Sequence, residues 1–162
     1  MTGPRVVQHE LLTPRGRAME MPGVGVLRDV RSFSGRCTAE PVDGRVREFT
    51  VDGVFRRVYR ASEPSGAEVG EYRREKALRR DGALSWYGME YRLVQNGTWR
   101  PVYALRRADR DLLTLKPYSI GPRRVSARPT GLEPVEPGLE LFCAWLVFRF
   151  SREDASAAAA GG

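Results

Sequence analysis

Apolar and polar residues alternate with a period of two through the middle of this chain. Tyr87, Met89, Tyr91 and Leu93 fall on one face, and Gly88, Glu90 and Arg92 on the other. That is the pattern of a strand with one side on a core. After Asn96-Gly97, residues Trp99, Tyr103 and Leu105 again take alternate positions, which predicts a hairpin partner laying a matching apolar face on that core. Pro101 marks this second strand as an edge or a bulged one. Further short strands are predicted over 36–40, 47–51, 54–61, 68–74, 111–116 and 123–128. Asp43-Gly44, Asp52-Gly53, Asp81-Gly82, Asn96-Gly97 and Pro64-Ser65-Gly66 punctuate them, and such pairs suit the positive backbone angles of tight hairpins. No helical segments separate these strands, so an antiparallel meander is expected and not a parallel α/β sheet.

Residues 138–150 break the pattern. Leu139-Glu140-Leu141-Phe142-Cys143-Ala144-Trp145-Leu146-Val147-Phe148-Arg149-Phe150 is apolar at almost every position. A helix of this kind has no polar face and must be buried on all sides; a buried strand is the alternative reading. Pro134 and Pro137 precede the run, and Ser151-Arg152-Glu153-Asp154 follows it, which delimits one element of helical length. It is well short of the roughly 20 residues that span a bilayer. The expected fold class is therefore all-β with one C-terminal helix, the strands wrapping around it. The predicted organisation is an N-terminal segment over 1–23, either disordered or an extra strand, a barrel domain over 24–152, and a disordered Ala-rich tail over 153–162.

Arg-rich hairpin strands closed by one wholly apolar C-terminal helix and an Ala-rich tail resemble the tubby C-terminal-like superfamily, which includes the LURP-one-related proteins and the phospholipid scramblases. The segment Trp86-Tyr87-Gly88-Met89-Glu90-Tyr91-Arg92-Leu93, followed by Tyr103-Ala104-Leu105-Arg106, is similar to that family's paired central strands. The resemblance covers roughly 24–152. It implies a closed antiparallel β-barrel around a buried hydrophobic helix, with 139–150 on the barrel axis. Tubby proteins are associated with phosphoinositide head groups and scramblases with lipid movement. No functional position of the family aligns with a particular residue here, and the cysteine-rich and calcium-linked flanks of a eukaryotic scramblase are missing.

Composition adds a charge argument. The chain has 162 residues and a formal net charge of +7. Its basic residues are nearly all Arg, Lys occurring only at Lys76 and Lys116. Codon bias in a GC-rich genome enriches Arg, Ala, Gly and Pro together, so part of this excess needs no functional cause. The surplus still predicts a salt-sensitive attraction to anionic surfaces. Cys37 and Cys143 form no close pair and no CxxC, which points to reduced thiols and neither a disulfide framework nor a zinc site. Pro4, Arg5, Glu10, Pro14, Arg15 and Arg17 break up the N-terminus, which is unlike a secretory signal. A cytoplasmic location, peripheral to the membrane where the charge is used there, is the expectation.

Catalytic chemistry is poorly served. His9, the sole histidine, would have to fold back from the N-terminal segment to serve a nucleophile. Glu133 with Glu136, and Asp109 with Asp111, are read as solvated loop carboxylates, and Asp109-Arg110-Asp111 as a turn. Gly23-Val24-Gly25 has no Walker lysine behind it. The recurring polar feature is the arginine doublet: Arg56-Arg57, Arg73-Arg74, Arg79-Arg80, Arg106-Arg107 and Arg123-Arg124. Neighbours on a strand point to opposite faces, so a mid-strand doublet would bury one guanidinium and doublets belong near strand ends. Gathered at one rim, they could form a phosphate-binding collar. The candidate ligand-binding residues are Arg56, Arg57, Arg73, Arg74, Arg79, Arg80, Arg106 and Arg107. The alternative is a solvated surface with local partners such as Glu71 and Glu75. Trp86, Tyr87, Tyr91, Trp99 and Tyr103 could stack nucleic-acid bases if exposed, but their alternation assigns most of them to the core. The expected protein is a non-enzymatic binding domain for an anionic ligand or acidic phospholipid surface, with no cofactor and no metal. A protein-interaction module or partner subunit is the alternative, and nucleic acid ranks below both.

Overall fold

The computed structural model describes residues 10–30, 35–53, 56–76, 78–97, 99–118 and 124–161. The strands are β1 (Glu10–Arg15), β2 (Ala18–Met21), β3 (Gly25–Arg28), β4 (Arg36–Pro41), β5 (Arg47–Asp52) and β6 (Val58–Ser62). They continue as β7 (Glu68–Arg74), β8 (Gly82–Trp86), β9 (Met89–Asn96), β10 (Val102–Arg107), β11 (Arg110–Tyr118) and β12 (Arg124–Pro129), followed by helix α1 (Pro137–Ala160). Each strand pairs antiparallel with its sequence neighbours, and β1 pairs with β12 in the register Leu12↔Val125. The result is a closed barrel of twelve strands.

Alternation along the strands puts Cys37 and Ala39, Phe49, Tyr59 and Ala61, Tyr72, and Leu84 and Trp86 inside. Eight strands close on an interior that side chains can just fill, whereas wider barrels leave a lumen. Here α1 occupies it. Gly138 to Phe148 and Phe150 are all buried, so over this stretch the helix has no face left for water. Pro137 opens it, where a missing N–H costs nothing. Trp145 lies 5.4 Å from Phe49 and 5.9 Å from both Tyr59 and Phe142, centroid to centroid. Phe150 similarly meets Tyr59, Tyr72 and Tyr103 at 5.5–5.7 Å. A ring of strand aromatics thus grips the helix along its length.

Several expectations are corrected. Tyr87-Gly88 is a two-residue turn, with φ of 48° and 78°, the positive angles of a type I′ hairpin. It joins β8 to β9 and takes the first two positions of the predicted strand, so Tyr87 shares no strand face with Met89, Tyr91 and Leu93. Of the latter three, only Leu93 is fully buried. Asp81-Gly82 is not such a turn, because Gly82 lies within β8, paired with Arg74 and Leu93. A glycine is needed there for closeness: a Cβ would sit 2.2 Å from the Arg73 carbonyl oxygen and 2.6 Å from the Tyr72 ring. Trp99 is 97% exposed in the β9–β10 turn and does not join the core face of Tyr103 and Leu105. Pro101 stands just before β10, which has neighbours on both sides and is no edge strand; the other alternative, an irregular strand, fits, since its register against β11 shifts between Leu105 and Arg106. From Glu10 onward the N-terminal segment supplies β1 and β2, which close the barrel. Strand β6 starts at Val58, while Val54, Phe55, Arg123 and His9 lie outside the described residues. Helix α1 runs past Phe150 and Asp154 to Ala160, alanine being the best helix former.

Two outcomes follow from a core built around the helix. Truncation of Trp145 or Phe142 to Ala should cost about 3–5 kcal/mol, read as a lowered urea midpoint. The second concerns alkali. Burial raises the phenol of Tyr59 to about 12, with the Glu153 carboxylate adding to it and Arg80 and Arg57 opposing. Burial likewise raises Tyr72 and Tyr103. A raised pKa means that these groups favour the fold fully below the unfolded value, about 10, and less as pH climbs through the folded one. The melting temperature should therefore hold to about pH 10 and fall steeply above it, more gently in Tyr59→Phe.

Candidate functional site

Because neighbouring strands run antiparallel, successive turns alternate between the two rims of the barrel. The turns after β2, β4, β6, β8 and β10 lie at the rim where α1 begins, here the lower rim. Those after β1, β3, β5, β7 and β9 lie at the upper rim, as do the end of β11 and the start of β12, and α1 emerges from this rim.

The lower rim is closed by a polar lock. Glu136, just ahead of α1, accepts the Trp86 indole N–H at 3.0 Å and lies 3.4 Å from the Arg47 guanidinium. Arg47 is almost fully buried, donates to the Tyr87 hydroxyl at 2.8 Å and packs over the Tyr87 ring. Glu136 is thus not the solvated loop carboxylate expected of it; it satisfies a buried cation that would otherwise be costly. Tyr87 acts from a turn, which alternation does not reveal.

The upper rim has a second lock. The Glu153 carboxylate accepts the Tyr59 hydroxyl at 2.9 and 3.0 Å and the Arg80 guanidinium at 3.0 Å, and pairs with Arg57. Arg149 is 3.8 Å away, one helical turn back. Arg80 also reaches Asp154 at 2.9 Å and sits 4.8 Å from the centre of the Phe150 ring. Arg80, with 13% of its side chain exposed, and Arg57 therefore hold the helix in place.

The other candidate arginines divide by position. Arg79 pairs with Asp81 at 2.8 Å, and Arg74 donates to the Lys76 and Arg79 carbonyls at 2.7 and 2.8 Å. Arg73 pairs with Glu71, as the sequence suggested, whereas Glu75 pairs with Arg92 at 2.7 Å and not with Arg74. Arg56 is exposed and makes no ion pair among the described residues, and the same holds for Arg17 and Arg100. All of these belong to the upper rim, as does Arg124. Arg106 and Arg107 sit at the lower rim, paired with Asp111 at 2.8 Å and Glu133 at 3.3 Å. The lower-rim turns also carry Asp43, Glu63 and Asp109, and Glu68 opens β7 at the same rim. Charge is therefore sorted along the barrel axis: strongly basic where the helix emerges, mixed where it begins.

A cleft of about 410 Å³ lies on the outer wall, floored by the small residues Ala83 and Ser85 and flanked by Arg73, Arg92, Arg106 and Arg107. Each of these arginines has a carboxylate partner, and Glu90 adds a further negative charge at its edge. The balance gives the cleft no strong preference for an anion. The aromatic residues form no platform either: Trp86 and Tyr103 are buried, while Tyr87 and Trp99 stand at opposite rims.

Among the described residues no cluster of His, Cys, Asp or Glu is arranged to hold a metal ion, and no helix is long and apolar enough to cross a membrane. Cys37 and Cys143 are both buried, which pushes their thiols well up. Compared with known proteins, the chain matches no family model, and no curated protein or solved structure matches it.

The upper lock is testable by charge removal. Glu153→Gln keeps the shape but strips the anion shared by Arg57, Arg80 and Arg149; it should destabilise the fold by about 1–3 kcal/mol. Guanidinium denaturation would obscure the effect by screening, so urea is the denaturant to use.

Proposed function

We propose that this chain is a non-enzymatic binding domain whose upper rim associates with an anionic, phosphate-bearing surface, of which acidic phospholipid head groups are the leading example. The observation that carries this reading is the axial sorting of charge. The turns after β1, β5 and β9, spaced round the upper rim, present Arg17, Arg56 and Arg100 with no ion pair among the described residues, and the β7–β8 turn between the last two adds Lys76 and Arg79. Arginine suits phosphate through paired N–H donors, and an acidic leaflet attracts each nearby basic residue by about 1 kcal/mol. The tubby-like resemblance points the same way, since a barrel enclosing an apolar C-terminal helix is the arrangement it implies and its best-known members are associated with phospholipids.

Co-sedimentation with vesicles of rising anionic lipid content, at low and high salt, tests the reading. Binding should grow with anionic lipid and fall with salt. Neutralising Arg17, Arg56 and Arg100 together to Gln should weaken it roughly a hundredfold, three losses of about 1 kcal/mol each. Arg57 and Arg80 are unsuited to this test because they hold the helix. Absence of binding at low salt, where attraction is greatest, would sink the proposal in favour of a protein partner, recognisable by stoichiometric, salt-insensitive co-purification.

A further inference from the structure

Beside these arginines stand the two most exposed large apolar side chains among the described residues, Trp99 at 97% and Leu78 at 94%. Trp99 lies in the β9–β10 turn and Leu78 in the β7–β8 turn, both at the upper rim. The turns are tied together through Gln95. Its backbone N–H donates to the Asp81 carboxylate at 2.6 Å, its side-chain oxygen accepts the Arg80 N–H at 2.8 Å, and its carbonyl accepts from Arg79. Burial pushes the Asp81 carboxyl up, but the Gln95 N–H and the Arg79 guanidinium together outweigh it and hold the group below its usual range. The aspartate that joins the two turns therefore stays charged. Two apolar tips are thus presented on one braced sector of the rim, among Arg74, Lys76, Arg79 and Arg100.

We infer that this sector enters the interface of an anionic bilayer, with Trp99 and Leu78 passing between the head groups while the surrounding cations engage phosphates. This rests on the binding proposed above and names its partner as a bilayer and not a dissolved polyanion. A soluble polyphosphate or nucleic acid would reward the arginines but gives no gain from an exposed leucine. A bilayer rewards both, because tryptophan and leucine bury apolar surface at the acyl boundary while the indole N–H stays near water. Lysine and arginine stems lie along the same boundary with their charges outward. Because the exposed end of α1 also projects from this rim, apolar insertion is confined to the β7–β10 side, while the arginines elsewhere on the rim face the same leaflet without entering it.

The chain carries its own probe. Of its three tryptophans, Trp86 and Trp145 are buried within the barrel and only Trp99 faces solvent. Mixed anionic vesicles should shift the emission to the blue, and lipids brominated along the acyl chain should quench it, in the full chain but not in Trp99→Phe. The double variant Leu78→Ser, Trp99→Ser, with unchanged melting, should bind vesicles about tenfold more weakly or worse, while its binding to soluble polyphosphate stays the same. Co-sedimentation with unshifted, unquenched emission would overturn the insertion and leave the electrostatic reading standing. Equal loss of vesicle and polyphosphate binding in the double variant would also overturn it. Absence of co-sedimentation at any salt would remove both.

Discussion

A ring of twelve antiparallel strands encloses more space than its own inward side chains can fill, and the filling of that space governs everything else in this molecule. Water is excluded as the filler by the apolar inner face, from Leu12 and Met19 round to Val125 and Ala127. The chain solves the problem with its own helix, which is why α1 has to be apolar on every side and why its large rings face Phe49, Tyr59, Tyr72 and Tyr103 from the wall. Closing the sheet also removes the unpaired edges that a long meander would otherwise expose.

A helix inside a barrel would be free to slide if apolar contact alone held it, since hydrophobic attraction has no direction. The two locks supply direction. Glu136 with Trp86 and Arg47 fixes where the helix begins, and Glu153 with Tyr59, Arg57 and Arg80 fixes where it leaves. Much of the arginine excess is therefore spent internally. Acidic residues gather toward the lower rim, at Asp43, Glu63, Asp109 and Glu133, so the basic surplus faces the upper one, and this separation gives a basic, doublet-rich sequence a surface with a defined orientation.

The sequence carried some of this plainly. The period of two, the Asp-Gly and Asn-Gly turns and the stripe-free run ending at Phe150 announce strands wrapped on a buried helix, because each is a local consequence of burial. Other features were hidden for equally physical reasons. Strands β1 to β3 are four to six residues long and carry Thr, Pro, Glu or Arg among their apolar positions, too short to show a period. The Tyr87-Gly88 turn interrupts an alternation that reads as continuous. Glu136 and Glu153 look like surface carboxylates until the fold brings up partners from more than fifty residues away, such as Arg47 and Tyr59. The exposure of Trp99 belongs to its turn, whereas spacing alone assigns it to the strand.

One ordering in the chain bears on how the protein comes to be made. The element that fills the barrel follows every strand that surrounds it. Synthesis from the N-terminus therefore delivers the whole wall before its contents, and the apolar lining has nothing native to cover it until 137–150 have been produced. Closure through β1 and β12 is also a long-range pairing, slow by its topology. Nascent chains should thus spend their most aggregation-prone interval as an unfilled sheet, and the last helix acts as the latch whose arrival turns a collapsed meander into a finished barrel.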